Sequence, residues 1–195
     1  MAKKKSNREK IITAALSLAE SDGWAKLSMA DIATKARLKP TEVLTEFHSK
    51  TGLLWGILES IDQAVLAEKR NADEPARDRL FDVLMSRFDA LNAHKDAIKA
   101  IARELPRDPL TGLLSAPRFM MSMAWMLEAA GISSGGLKGL LRTKGLALVY
   151  LNAARVWLRD DSSDMSKTMA ALDKGLRRAE RVAGMCKSSR TTTAD

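Results

Sequence analysis

The chain contains little cysteine and no long apolar run, and each absence excludes a class of protein. Its single cysteine, Cys186, excludes an intramolecular disulfide and a metal site built from several cysteines, and it fits a reducing compartment. No stretch reaches the roughly 18 uninterrupted apolar residues that a membrane-spanning helix needs. The charged start is not followed by the apolar segment of a signal peptide. We therefore expect a soluble, cytoplasmic protein.

Catalytic side chains are also scarce. No acidic pair is accompanied by a nucleophile, by a set of metal ligands or by a glycine-rich phosphate-binding loop. His94 lies near the start of a predicted helix, where a cap or a surface residue is expected, and His48 lies in a turn, where a phosphate contact is the better interpretation. The sequence predicts a protein that is not an enzyme and that needs neither a cofactor nor a metal.

Positive charge is abundant and is concentrated at the two ends of the chain. The 195 residues include 32 lysines and arginines against 24 aspartates and glutamates. Five of the cations lie in the first ten residues, with one acid, and seven lie in residues 167–190, with two acids. Such an excess favours an anionic partner, either nucleic acid or an anionic membrane surface.

Helical periodicity extends along the whole chain, and no segment shows the alternation of a β-strand. Gly23 ends a first helix. Ser28 caps a short second helix together with Asp31, and Pro40 begins a short third one. A long fourth helix follows and completes the first third of the chain. The whole pattern predicts an all-α fold of about nine helices.

The remaining two thirds also read as helices. A polar stretch at residues 70–78 marks the boundary between two modules. Amphipathic helices follow, and Pro117 lies near the middle of an apolar helix over residues 110–130, which it should break or kink. Two further helices, over residues 137–158 and 164–184, complete the second module.

The short second and third helices, with a break of three residues between them, have the arrangement of a helix-turn-helix. In that motif one helix enters the major groove of DNA while the other braces it on the backbone. The segment over residues 40–47 would be the reading helix. It carries Glu42 and Glu46, which would face a polyanion unless one accepts a hydrogen bond from a cytosine amino group or turns aside to pair with a cation.

Residues 8–58 resemble the DNA-binding domain of the tetracycline-repressor family of transcriptional regulators. The stretches that carry the resemblance are "REKIITAALSLAESDGWAKLSMADIATKA" and "FHSKTGLLWGIL". The resemblance implies a homodimer, in which the last two helices of each subunit pair with their two-fold mates. Such a dimer would place two reading helices about one DNA turn apart on a palindromic operator.

The reading segment departs from the pattern of that family at four positions. The family usually has glycine at the positions of Arg37 and Thr41, and a small or hydroxylated residue at that of Lys39. It commonly has an aromatic residue, which contacts a phosphate, at the position of Leu44. Leucine cannot donate that hydrogen bond, and a residue other than glycine in a left-handed turn costs about 1 kcal/mol. The segment therefore reads DNA in an atypical way or does not read it.

Ten residues are candidates for contacts with DNA. Three form a basic arm suited to the minor groove, and the others lie at the cap of the second helix, on and after the reading helix, and at the start of the fourth helix. They are Lys3, Lys4, Lys5, Ser28, Lys39, Thr41, Glu42, Thr45, His48 and Lys50. The alternative interpretation is a solvated surface on a retained scaffold.

Methionine is concentrated in the second module. Met120, Met123 and Leu127 share one face of a predicted helix, and Phe88 is expected opposite them. Unbranched thioethers adapt to ligands of varied shape, so these four residues can line an apolar ligand pocket. The alternative is an ordinary hydrophobic core.

Residues 77–183 resemble a different protein, the lipid-binding accessory protein of coenzyme Q biosynthesis, which shares the repressor frame without serving as a repressor. The stretches that carry this resemblance are "RLFDVLMSRFDALNAHKDAI", "LPRDP", "MAWMLEAAGI", "GLALVYLNAARVWLRDD" and "TMAALDKGLRRAE". It implies an apolar cavity for an isoprenoid or similar lipid and a last helix that touches a membrane. Residues 166–184 are amphipathic, which suits either an interfacial helix or a helix that packs in a dimer.

Two hypotheses follow. In the first, the chain is a homodimeric, ligand-responsive regulator: residues 1–58, with a flexible basic arm at 1–7, bind a palindromic operator, and residues 59–186 dimerise and bind an apolar small molecule or lipid. Residues 187–195 would be a disordered tail. In the alternative, the chain is a lipid-binding or isoprenoid-binding accessory protein of ubiquinone biosynthesis whose helix-turn-helix does not read DNA; only here is membrane contact expected. A regulator that senses a lipid or quinone precursor would combine the two.

Overall fold

A computed structural model describes residues 6–68 and 73–188, with the backbone alone for 182–188, and these residues form nine α-helices and two 3-10 turns. The helices are α1 (Asn7–Asp22), α2 (Met29–Ala36), α3 (Pro40–Glu46), α4 (Lys50–Leu66), α5 (Ala76–Asn92), α6 (Lys95–Glu104), α7 (Pro109–Ala129), α8 (Gly136–Trp157) and α9 (Ser166–Ser188). The 3-10 turns are Trp24–Lys26 and Leu105–Arg107. The predicted all-α fold is confirmed.

Local sequence signals explain where the first helices begin and end. Ser6 and Ser28 cap α1 and α2, and in each case the acid three residues on accepts a hydrogen bond from the backbone N–H group of the serine. Ser49 caps α4 by accepting from the N–H group of Gly52 at 3.0 Å. Gly23 follows α1 with φ 83°, which a residue with a Cβ atom rarely adopts. These signals are local, and the sequence analysis identified two of them, the Ser28 cap and Gly23.

By their contacts the helices divide into two compact units. The first comprises the chain up to residue 67 together with residues 89–118. Its core is formed where α1 packs against α2, α3, α4 and α6. The most deeply buried side chains are apolar and come from each of the first four helices: Ile11, Ala15, Ile32, Val43, Leu53 and Ile57. This core holds the helix-turn-helix.

The second unit comprises residues 68–88 and the chain from residue 119 onward. Its core is aromatic: the rings of Phe88 and Tyr150 stack with their centroids 5.0 Å apart, and the ring of Trp157 lies 6.1 Å from that of Phe88. Helices α8 and α9 pack closely, since a Cβ atom at Gly175 would lie 2.7 Å from Cγ1 of Val149. The boundary predicted after residue 58 divides the chain by function, whereas these two units divide it by contacts. The functional boundary therefore stays a prediction.

The predicted break at Pro117 is wrong, because α7 runs from Pro109 to Ala129 with Pro117 inside it, and a kink there stays a prediction. Proline removes one backbone hydrogen bond, that to the carbonyl group four residues earlier, which here belongs to Leu113. Both residues are exposed, so water can reach this carbonyl group, and the other hydrogen bonds of a helix of 21 residues maintain it.

At the C-terminal end, α9 extends to Ser188 and so includes the first two residues of the predicted tail. Residues 189–195 lie outside the described residues, as does most of the predicted N-terminal arm with Lys3, Lys4 and Lys5. Among the residues that the structure does describe, no helix has the length and apolar character needed to cross a bilayer.

Candidate nucleic-acid interface

The turn between α2 and α3 is tight and left-handed. Arg37 has φ 56° and ψ 44°, in the position where the resemblance leads one to expect glycine. The N–H groups of Arg37 and Leu38 donate to the carbonyl groups of Thr34 and Ala33, at 3.1 and 3.0 Å. These bonds satisfy the last carbonyl groups of α2 and offset the strain at Arg37, so that α3 starts in a new direction after three residues.

The inner face of α3 is anchored by two side chains. Val43 is 2% exposed, and Phe47, which follows the helix, is 4% exposed. The guanidinium group of Arg8 lies over the ring of Phe47, 4.8 Å from its centroid. The ring also packs onto the backbone of α4 at Gly56, where a Cβ atom would lie only 2.3 Å from Cε1 of Phe47. These contacts determine which face of α3 remains outside.

The outer face of α3 carries Thr41, Leu44 and Thr45. All three side chains are exposed, and their spacing of three and four residues places them on one side of the helix. Lys39 is exposed just before the helix begins, and His48 is exposed just after it, beyond the extended backbone of Phe47. The predicted candidates Thr41 and Thr45 therefore share one face of α3, with Lys39 and His48 exposed at its two ends.

The two glutamates of α3 have a different placement from these exposed residues. Glu42 is half-buried, and its Oε2 atom accepts a hydrogen bond from the N–H group of Lys39 at 2.8 Å. Its Oε1 atom accepts from Nδ2 of Asn7 in α1 at 3.3 Å. Glu46 lies one turn after Glu42 and is also half-buried. Glu42 thus caps its own helix and ties it to α1; that it also contacts DNA stays a prediction.

Ser28 is likewise occupied within the protein. Its hydroxyl group accepts from the N–H group of Asp31 at 3.1 Å and donates to Oδ2 of Asp31 at 2.6 Å. The hydrogen bonds from Ser28 lower the pKa of Asp31, so the carboxylate stays ionised and caps α2. A DNA contact by Ser28 would have to be made in addition to this cap.

Lys50 begins α4 and turns toward the 3-10 segment after α1. Its Nζ atom donates to the carbonyl groups of Trp24 and Ala25, the latter at 3.2 Å, and lies 5.0 Å from the centroid of the Trp24 ring. Burial lowers the pKa of Lys50, while the negative charges of Glu104 and Asp108 act in the opposite direction. Lys50 therefore stabilises the approach to α2, and a phosphate contact would compete with these bonds.

The four predicted ligand-binding residues lie in the second unit. Phe88, Met123 and Leu127 are buried, and Met120 is half-buried. The structure therefore brings at least the first three into the core, and their contact with a ligand stays a prediction.

Arg87, which the sequence analysis missed, lies in that same core and is 2% exposed. Its guanidinium group donates to the hydroxyl groups of Tyr150 and Ser122 and lies 4.7 Å from the centroid of the Tyr150 ring. The signal was present in the sequence, because Leu80, Leu84, Arg87 and Leu91 follow the spacing of one inward helical face. An arginine on such a stripe indicates a buried polar contact.

Comparisons with known proteins agree with this geometry. Residues 11–55 match the family model for bacterial regulatory proteins, tetR family. The match covers α2, α3 and most of α1, and it ends within α4. No curated protein matches the chain.

Several solved structures are similar in fold. A TetR transcriptional regulator from Nitrosomonas europaea ATCC 19718 has a TM-score of 0.73 and 21% identity, with 90% of this chain and 99% of that one covered. A TetR regulator from Rhodococcus sp. RHA1 has a TM-score of 0.61, 21% identity and coverages of 87% and 94%. A tetR-family regulator from Streptomyces coelicolor has a TM-score of 0.58, 19% identity and coverages of 91% and 82%.

Identities this low show the fold of the chain, while the family itself is indicated by the matched segment. That segment contains the helix-turn-helix whose turn and inner face are described above. Residues 11–55 thus match the tetR family of bacterial regulatory proteins, and the chain shares its fold with solved TetR regulators.

Proposed function

We propose that the protein is a ligand-responsive transcriptional regulator that reads a palindromic operator with α3. The observation that supports this most directly is the separation of charge around α3. Glu42 is held by its own helix cap and by Asn7, and the exposed face of Thr41, Leu44, Thr45 and His48 carries no acid. A polyanion can therefore approach this face without meeting a carboxylate in its centre.

Exposed cations flank the same face. Lys35 and Arg37 at the end of α2, and Lys39 before α3, are all exposed. Cations in these positions would contact phosphates on either side of the groove and set the position of α3, while the residues on its outer face touch the bases. Lys50 would contribute mainly by stabilising the turn before α2, since its ammonium group already binds two carbonyl groups.

Two-fold pairing is the second part of the proposal. Helix α8 has a row of exposed leucines at helical spacing: Leu137, Leu140, Leu141, Leu148 and Leu151. Exposed apolar area of this extent on one helix is typical of an interface between subunits. A homodimer formed through α8 and α9 would bury these leucines and present two copies of α3 to successive grooves of a palindrome.

The ligand is the third part. Phe88, Met120, Met123 and Leu127 would surround an apolar small molecule or lipid, and the buried guanidinium group of Arg87 would supply a polar contact beside them. The ligand can change DNA binding only if it binds the DNA-competent and DNA-free states with different affinity. The protein would act in the cytoplasm, by binding and without catalysis. The structures described above are of regulators, which favours this function over that of a lipid-binding accessory protein of ubiquinone biosynthesis.

The test is selection of duplexes from a random pool at near-physiological salt. The proposal predicts enrichment of a sequence with two-fold symmetry and a site occupied by two copies of the chain. Lys39→Gln should weaken binding to all sequences alike, and because the dimer loses one phosphate contact in each half-site, the slope of log K against log salt should become shallower by about 2. Arg159→Gln removes an exposed charge from the segment between α8 and α9 and is the control. If no sequence is enriched, DNA reading is refuted. If the two variants weaken DNA binding equally, a phosphate contact by Lys39 is excluded.

A further inference from the structure

The outer face of α3 has an unusual composition for a surface that reads bases. Its exposed residues are Thr41, Leu44 and Thr45, followed by His48. Arginine, asparagine, glutamine and lysine, the side chains that bind a purine through two hydrogen bonds, do not occur on this face, and Lys39 lies before the helix. Recognition by the outer face itself must therefore depend on something other than such paired hydrogen bonds.

Leu44 occupies the centre of this face and is 56% exposed. The other apolar side chains of the segment, Val43 and Phe47, are buried, so Leu44 is not needed for the core. An exposed leucine at this position has no partner of its own chemistry within α3, and it projects from the helix that would enter the major groove.

Thr45 adds a second apolar group beside Leu44. Its hydroxyl group donates to the carbonyl oxygen of Thr41 at 2.9 Å. The hydroxyl hydrogen atom is thereby used within the helix, as is common for threonine in helices. Thr45 is thus less suited to donate to a base, and its methyl group becomes its main contact surface.

Thymine is the base that presents an apolar group in the major groove, its C5-methyl group, and apolar side chains and threonine methyl groups contact it. We propose that Leu44, supported by the methyl group of Thr45, recognises the C5-methyl group of a thymine in each half-site of the operator. This inference rests on the proposed function, because it requires that α3 enters the major groove. It names the base that the centre of α3 selects.

The experiment replaces each thymine of the selected operator in turn by deoxyuridine, which removes the methyl group and keeps every hydrogen-bonding group. At the position facing Leu44, we expect binding to weaken about fourfold when one half-site is changed, which is the loss of affinity that removal of one buried methyl group produces. When both half-sites are changed, binding should weaken about sixteenfold. Cytosine at that position should weaken binding, and 5-methylcytosine should recover part of the loss.

Leu44→Ala should weaken binding to the thymine operator and reduce the difference between thymine and deoxyuridine at that one position. Because Leu44 is exposed, the variant should keep its circular dichroism spectrum and its melting temperature. Leu110→Ala, which shortens another exposed leucine of the same unit, is the matched control and should leave both affinity and thymine preference unchanged.

The outcomes separate this inference from the proposed function. If a symmetric duplex is selected but no thymine responds to loss of its methyl group, the role of Leu44 is refuted while DNA reading stands. The same holds if Leu44→Ala retains the full thymine preference. If no duplex is selected, both are refuted.

Discussion

The contact between Gly56 and Phe47 offers a sharp test of how α3 is held. In Gly56→Ala the new Cβ atom would lie 2.3 Å from Cε1 and 2.8 Å from Cζ of the Phe47 ring, and 3.3 Å from Nη2 of Arg8. Carbon atoms in contact lie about 3.5 to 4.0 Å apart, so the ring would have to move by roughly 1 Å. It is 4% exposed and has little room for such a movement.

Two effects of opposite sign act on the stability of this variant. Overpacking of a filled core costs about 1 to 3 kcal/mol, whereas alanine is favoured over glycine in a helix by about 1 kcal/mol. We expect the overpacking to exceed the gain, with a net loss of about 1 kcal/mol in the free energy of unfolding. Because Phe47 directly follows α3, the same displacement should also weaken binding to the operator.

Gly52→Ala in the same helix is the matched control. The nearest atom to its added Cβ would be Oγ of Ser49 at 3.4 Å, an ordinary contact, so this variant should gain up to about 1 kcal/mol from helix propensity alone. Urea unfolding followed by circular dichroism would measure both variants. If Gly56→Ala is as stable as Gly52→Ala and binds DNA like the wild type, the anchoring of α3 through Phe47 is wrong.

Three further substitutions test other contacts. Arg37→Gly should raise the free energy of unfolding by up to about 1 kcal/mol by relieving the left-handed turn, whereas Arg37→Ala, which keeps the strain, should not. Asp160→Asn should lower stability at pH 7 by about 2 kcal/mol, because buried Asp160 accepts at least four hydrogen bonds from Ser162 and Thr168. Burial alone raises the pKa of Asp160, but these hydrogen bonds outweigh burial and lower the pKa. The ionised carboxylate therefore stabilises the fold at every pH above about 3.9, the pKa of an aspartate in an unfolded chain. As pH falls below about 4, the difference in free energy of unfolding between the variant and the wild type should narrow. Tyr150→Phe removes an acceptor of the buried Arg87 and should cost about 1 to 3 kcal/mol in thermal or urea unfolding, and an unchanged midpoint would show that the guanidinium group does not depend on this hydroxyl group.

Features that depend on neighbours along the chain were predictable. The serine caps, Gly23 and Pro40 act within one helical turn, and the apolar spacing that they punctuate predicted α1 to α4 with small errors at the ends. The resemblance to a known family identified the helix-turn-helix by the same local signals. Fold class and the location of the helix-turn-helix could thus be predicted from the sequence.

Features that depend on distant residues were not predictable in the same way. The partner of Glu42 in α1 is Asn7, 35 positions earlier, and no local pattern indicates this contact between α3 and α1. Helix α7 continues through Pro117 because Pro117 and Leu113 are both exposed. The presence of proline in the sequence does not by itself reveal this exposure. Lys50, predicted to bind phosphate, lies against Trp24 because α4 packs beside the segment after α1.

The sequence by itself determined the helices and the order in which they occur, because capping and periodicity are properties of short segments. It also showed that α3 departs from the pattern of reading helices in the family that it resembles, with Leu44 in place of an aromatic residue. Only the tertiary structure decided which side of α3 is free. Burial of Val43 and Phe47 against α1 and α4 sets the rotation of α3 about its axis, and that rotation, which arises from contacts between distant segments, withdraws Glu42 and leaves Leu44 exposed.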